Sequence, residues 1–142
     1  MRPTIDVRRA TVDDADAIWP LVVDFATSFA PERSAFDRAI ADVVERDDSF
    51  LAIATATSGA IGYLLASSHL TLFANAPVVW VEEVAVRESE RRSGVGRQLM
   101  DAAETWARDL GAAYVSLATR RASDFYLALA YQESATFFRK VL

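Results

Sequence analysis

Apolar residues recur along this chain with two periods, and the changes of period mark its elements. Residues 4–9 alternate, Ile5 and Val7 against Asp6 and Arg8, as a half-buried strand does. Thr11 then precedes VDDADA, a helix start with acids in its first turn. Ile18, Leu21, Val22, Phe25 and Phe29 follow at helical spacing. Pro20 inside that pattern predicts a kink or a later start, and Pro31 an end. A second helix is expected over 34–46, with Phe36, Ile40, Val43 and Val44 on one face. Residues 50–57 read as a strand. The Ser58-Gly59 turn joins them to a second apolar run, 61–72, as an antiparallel hairpin.

Asn75-Ala76-Pro77 marks the next turn, and the strand 78–86 follows it. Val95, Leu99, Ala102, Ala103, Trp106 and Leu110 form the apolar stripe of an amphipathic helix, with Trp106 in the core and Gly111 just past the end. Residues 114–118 are expected as a strand and 123–129 as a short helix. The tail SATFFRKVL, with Phe137, Phe138 and Val141, suits a final strand. Three sequential antiparallel strands and then a strand–helix–strand crossover predict an α/β protein: a mixed sheet with helices on both faces, in which Val84 to Val115 is a parallel, right-handed connection.

Composition narrows what such a chain can do. Its 142 residues, 52% hydrophobic and 25% charged, suit one globular domain over 1–142. The absence of cysteine excludes disulfides, thiolate metal sites and a Cys nucleophile. No apolar run approaches a membrane span, and the first residues carry no signal-peptide core, so a soluble cytoplasmic protein without a membrane partner is the expectation. A formal charge of −5 argues against nucleic acid as partner and suits a cationic small molecule. No metal site is expected.

The candidate chemistry lies between the strand 78–86 and the helix after it. Arg91-Arg92-Ser93-Gly94-Val95-Gly96 fits R-x-x-G-x-G at a helix opening. Glycines let the backbone approach an anion, first-turn N–H groups have no intrahelical partner, and arginine adds charge-assisted hydrogen bonds. No Lys-Ser/Thr follows the glycines, which rules out a Walker A loop. Leu99 stands where a dinucleotide fingerprint has its third glycine.

In context, V-A-V-x-x-x-x-R-R-S-G-V-G-R-x-L-M resembles the acetyl-CoA signature of the GNAT superfamily of N-acetyltransferases. Ala122, Phe125 and Tyr126 fall at the family spacing N-x-x-A-x-x-[LF]-Y-x-x-x-G-[FY], with Thr119 at the Asn position and Ala130 at the Gly. The resemblance implies a GNAT-like, mostly antiparallel sheet of six to seven strands. It implies acetyl-CoA as donor, a small amine acceptor, direct attack in a ternary complex and, as is common in the family, a homodimer. It places the cofactor pyrophosphate on the N–H groups of Arg92, Ser93, Gly94, Val95, Gly96 and Arg97, beside Arg91. The pantetheine arm falls along Val84, Ala85 and Val86, near Thr119, with the Val84 N–H toward the thioester carbonyl. Tyr126 stands at the family's general-acid position.

An ammonium must lose a proton before it attacks, and the strand offers Glu82 and Glu83. Strict alternation groups Glu82 with Trp80 and Val84, and Glu83 with Val81 and Ala85, so one acid faces the cleft. Glu82 is the choice, because family members that take polyamines and amino-sugars often carry an acid there. Phe29, Phe36, His69, Trp80 and Glu83 are the candidate acceptor contacts. A peptide or protein N-acetyltransferase and a catalytically silent CoA-binding module are the alternatives.

Overall fold

In the computed structural model, which describes residues 4–142, five strands form one sheet in sequence order, β1 (Asp6–Arg9), β2 (Ser49–Ala56), β3 (Gly59–His69), β4 (Val78–Val86) and β5 (Val115–Leu117). The first four are antiparallel, and β4–β5 is parallel, pairing Val79–Val81 with Val115–Leu117. The predicted hairpin, the strand 78–86 and the parallel crossover are all present.

Helices cover both faces. One face packs on α3 (Val95–Asp109), through Leu64, Ala66, Val79 and Val81 against Val95, Leu99, Met100 and Ala103. Trp106 is buried there as its stripe predicts and stacks on Phe50, ring centroids 5.3 Å apart. The short helix α4 (Ser123–Ala128) lays Phe125 and Tyr126 against the same cluster. The other face carries α1 (Ala15–Phe25) and α2 (Arg33–Val43), whose Ile18, Leu21 and Ile40 pack with Leu51, Ile53 and Tyr63.

The start of α1 is anchored by one side chain. Thr11 and Asp14 form a reciprocal capping box around a 3₁₀ turn, Val12–Asp14. Asp14 also accepts both guanidinium nitrogens of Arg8 at 2.8 Å, which joins the helix start to β1. That hydrogen bond holds the Asp14 carboxyl below the ordinary carboxylate range. Pro20 is absorbed within α1. The helix ends at Phe25, where Ala26 turns extended, well before Pro31.

The expected final strand is not formed. Among the described residues, 132–142 make no backbone hydrogen bond, so the sheet stops at five strands rather than six or seven. Side chains hold the tail instead: Phe137 stacks on Trp80 at 5.9 Å, and Arg139 donates to Ser28 Oγ at 3.3 Å. The pattern of the tail suits a strand, but β5 is only three residues long and leaves it no ladder to join.

Ala130, at the family's glycine position, adopts φ +70°. A left-handed conformation strains a residue with a Cβ by about 1–2 kcal/mol. Ala130→Gly should therefore stabilise the protein, by about 1 kcal/mol after the extra entropy of glycine in the unfolded chain is allowed for. Urea unfolding measures this; an unchanged or lower midpoint would contradict the strain.

Candidate active site

The site is organised by an irregularity in β4. The β3–β4 register runs Gly62↔Val86, Tyr63↔Ala85, Leu64↔Val84 and Leu65↔Glu83, then jumps to Ala66↔Val81. Glu82 is thus an extra residue, a β-bulge. The bulge reverses side-chain parity along the strand. Val79 and Val81 face α3 before it, and Val84 and Val86 face α3 after it, while Glu83 and Ala85 take the opposite face with Tyr63 and Leu65. The grouping expected from strict alternation therefore holds for Glu83 with Ala85 and breaks between Val81 and Glu83. Glu82 sits exposed at the bulge, and Glu83 points into the face covered by α1 and α2.

Backbone polarity reverses with it. The Val79 N–H bonds Tyr114 O, so ahead of the bulge the odd-numbered amides point toward β5. The Arg87 N–H bonds Ile61 O, so beyond it the amides of Ala85 and Arg87 point toward β3. Val84 and Val86 must then present N–H and C=O to the other edge, where β5 no longer pairs. Arg91 Nε takes the Val86 carbonyl at 3.3 Å. The Val84 and Val86 amides remain as donors on an open edge.

The chain turns from that edge into α3 through Arg92, at φ +67°, and Gly94, at φ +90°. Two left-handed residues so close together make a concave turn whose N–H groups converge. The first intrahelical bond shown at this end is Gln98 N to Gly94 O at 3.1 Å, which leaves Val95, Gly96 and Arg97 with free N–H groups. No acid stands in this first turn, while Arg91, Arg92 and Arg97 surround it, exposed. Gly62 lets α3 begin directly against the sheet: a Cβ there would lie 2.8 Å from Ala85 O and 3.1 Å from Val95 Cγ1. Donors without acids at a helix N-terminus fit a pyrophosphate.

Glu83 reaches a cavity of about 320 Å³ between α1, α2 and the sheet. Tyr63 Oη donates to Glu83 Oε1 at 2.6 Å. Burial pushes the Glu83 carboxyl above the ordinary carboxylate range; the Tyr63 hydrogen bond opposes the rise and the charge of Glu82 adds to it. Burial, with the adjoining carboxylate, pushes the Tyr63 phenol up as well. Tyr63 was missed in the sequence reading, because an interior strand tyrosine looks like core and its partner depends on the bulge.

The other candidates are dispersed. Phe36 lines the Glu83 cavity. Phe29 is 68% exposed, and His69 is exposed at the far end of β3; neither lines that cavity. Trp80, Thr119 and Tyr126 line a separate groove of about 1100 Å³ beyond β5. Thr119 Oγ1 accepts the Ala122 N–H at 3.1 Å and so closes the turn into α4. Tyr126 is half-buried between Phe125 and Tyr131, and burial raises its phenol. The structure brings Glu83, Tyr63 and Phe36 together and leaves Tyr126 on a different wall.

The family model of the acetyltransferase (GNAT) family matches residues 15–131, and the chain belongs to that family. It is an N-acetyltransferase with acetyl-CoA as donor. No curated protein matches it by sequence. A solved transcriptional regulator from Bacillus halodurans C-125 superposes with a TM-score of 0.87 at 19% identity, over 98% of this chain and 100% of that one. Glucosamine-6-phosphate N-acetyltransferase from Arabidopsis thaliana gives 0.86 at 14% identity, over 97% and 98%. Aminoglycoside N-acetyltransferase AAC(6')-Iy, in complex with CoA, gives 0.85 at 23% identity, over 99% and 97%. Among the described residues no helix is long and apolar enough to cross a membrane, and no group of three or more His, Cys, Asp or Glu could hold a metal.

The Glu83 environment fixes the sign of a pH effect on stability. Its folded pKa lies above the unfolded one, so its stabilising contribution is full at low pH and is lost as pH rises through the raised value. Glu83→Gln does not titrate and should gain stability relative to the parent as pH rises from about 4, then hold a constant difference. Urea midpoints across pH report this, and a difference that shrinks with rising pH would contradict it.

Proposed function

We propose that this chain moves acetyl from acetyl-CoA to the primary amine of a small acceptor, by direct attack in a ternary complex. The observation that carries this reading is the β4 bulge, which gives neighbouring residues opposite duties. Glu83 turns its carboxyl into the α1–α2 cavity, and Val84 turns its N–H to the open edge. An acceptor in the first space and a donor along the second meet at one point of the strand.

Acetyl-CoA supplies an activated acyl carbon and a thiolate leaving group. The residues of the chain do the remaining work. The N–H groups from Arg92 to Arg97 hold the pyrophosphate, and the edge amides of Val84 and Val86 align the pantetheine arm. The Val84 N–H is aimed where negative charge develops on the thioester oxygen. Glu83 draws in the ammonium and takes its proton; its raised pKa makes it the stronger base for that step. Glu83 thus replaces Glu82, whose exposed side chain at the bulge lines neither the α1–α2 cavity nor the groove beyond β5. Tyr126, kept protonated by burial, donates to the leaving sulfur across the end of β5. The Thr119 hydroxyl serves its turn and leaves the cofactor to the backbone.

The protein is further read as a homodimer. Residues 132–137 line one wall of the groove beyond β5 and residues 114–118 line the other, so a strand from a second copy would find the edge of β5 beside it. Phe138, at 87% exposure, and Val141 are the apolar side chains such a contact would cover. Light scattering should give a dimer that Phe138→Lys weakens; a monomer at high protein concentration would contradict this.

Replacing Glu83 by Gln should lower kcat/KM for an amine by about 10²-fold or more and abolish the acidic limb of its pH profile. That limb lies above the ordinary carboxylate range, because the base must be deprotonated and its pKa is raised. Glu82→Gln should leave the limb in place, and CoA affinity should survive both changes. Thiol release with isothermal titration of CoA decides among the readings. Tight CoA binding without amine-stimulated thiol release would favour a silent CoA-binding module, and equal losses from both substitutions would remove Glu83 as the base.

A further inference from the structure

The chemistry of the Glu83 cavity specifies more than an amine. Its walls are Ile18 and Val22 from α1, Phe36 and Ile40 from α2, and Leu51 and Leu65 from the sheet. Its polar side chains are three. Tyr63 and Glu83 lie at the sheet, and Glu32 stands exposed at the helix N-terminal end. Tyr63 spends its one O–H on Glu83 Oε1, and Glu83 Oε2 has no donor among the described residues. The floor can therefore take one ammonium group, and the walls can satisfy almost nothing else.

A hydroxyl carried against these walls, away from Glu83, would lose its water and meet mostly carbon. Each such group should weaken binding on the order of tenfold to a hundredfold. An amino sugar brings several, and a multi-ring aminocyclitol brings further ammonium groups, for which the lining offers only Glu32, exposed at the helix end and already accepting from Ser34 Oγ. The volume, about 320 Å³, lies at the lower end of small-molecule pockets and suits one ring or a short chain. We propose that the acceptor is a monoamine with an apolar body, an arylalkylamine or alkylamine, bound with its ammonium on Glu83 and its hydrocarbon against Val22, Phe36 and Leu65. The specificity differs from that named for the solved aminoglycoside and glucosamine-6-phosphate acetyltransferases of the same fold. This inference rests on the reading of the Glu83 cavity as the acceptor site.

The test uses the whole chain and measures initial rates of thiol release from acetyl-CoA with phenethylamine, hexylamine, ethylamine, glucosamine 6-phosphate and neamine. Phenethylamine or hexylamine should exceed both amino sugars in kcat/KM by about a hundredfold. Ala35 lies on the exposed side of α2 and lines the cavity, so a larger side chain there can fill it without opening the core. Ala35→Trp should reduce the ratio of kcat/KM for phenethylamine to that for ethylamine by about tenfold, with CoA affinity unchanged. Amino sugars turned over as well as the apolar amines would overturn the proposal while leaving the transferase reading intact, as would an unaltered ratio in a folded Ala35→Trp protein. CoA binding with no thiol release from any amine would overturn both.

Discussion

One extra residue in β4 decides the arrangement of this molecule. Without the bulge at Glu82, side chains would alternate through the strand, and Glu83 and Ala85 in place of Val84 and Val86 would present their amides to the edge beyond β5. With it, Val81 and Val84 both face α3, Glu83 is turned to the opposite layer, and the Val84 and Val86 amides lose their strand partner while remaining in line. A bulge breaks a ladder at a cost in hydrogen bonding, and the surrounding structure must hold it. Here α3 packs Val95 and Leu99 beneath Gly62, opposite Val86, on one side of the sheet, and the Tyr63–Glu83 bond lies next to the bulge on the other.

The two helical layers have unequal tasks. The α3 layer is closely filled: Leu99, Met100 and Ala103 are fully buried, and the Phe50–Trp106 stack closes its end. It supplies the rigid base from which the phosphate turn projects. The α1–α2 layer is pinned at its beginning by Arg8, Thr11 and Asp14 and ends early at Phe25, so α2 covers the sheet without filling the space over Glu83. The apolar walls left there both raise the carboxyl of Glu83 and restrict what can lie beside it. The basicity and the acceptor preference proposed for the site thus share one physical origin, a low-dielectric cavity whose floor is the Tyr63–Glu83 pair.

Much of this was legible in the sequence. The strand 78–86, the phosphate turn and the apolar stripe of α3 were readable, because each is a local pattern of residue types whose meaning the fold did not overturn. The helix start at Thr11, with acids in its first turn, was readable for the same reason. What escaped depends on partners. A bulge is a count of residues against the neighbouring strand, so alternation alone left Glu82 and Glu83 on equal footing, and the preference for Glu82 came from the family resemblance and not from the strand's geometry. Tyr63 looked like core because its partner was unknown. The tail reads as a strand from Phe137 to Val141, yet β5 offers it too short an edge. His69 and Phe29 were nominated by their positions in the chain and ended up away from the Glu83 cavity.

The proposed donor site depends on the Val84 and Val86 amides lying free on the edge beyond the bulge. Residue-resolved amide hydrogen exchange, with and without saturating CoA, tests it directly. Val84 and Val86 should exchange fast in the free protein and gain marked protection when CoA is bound, with Ala85 and Arg87 protected in both states by their bonds to β3. Protection of all four amides in the free protein, or no change at Val84 and Val86 on binding, would contradict it.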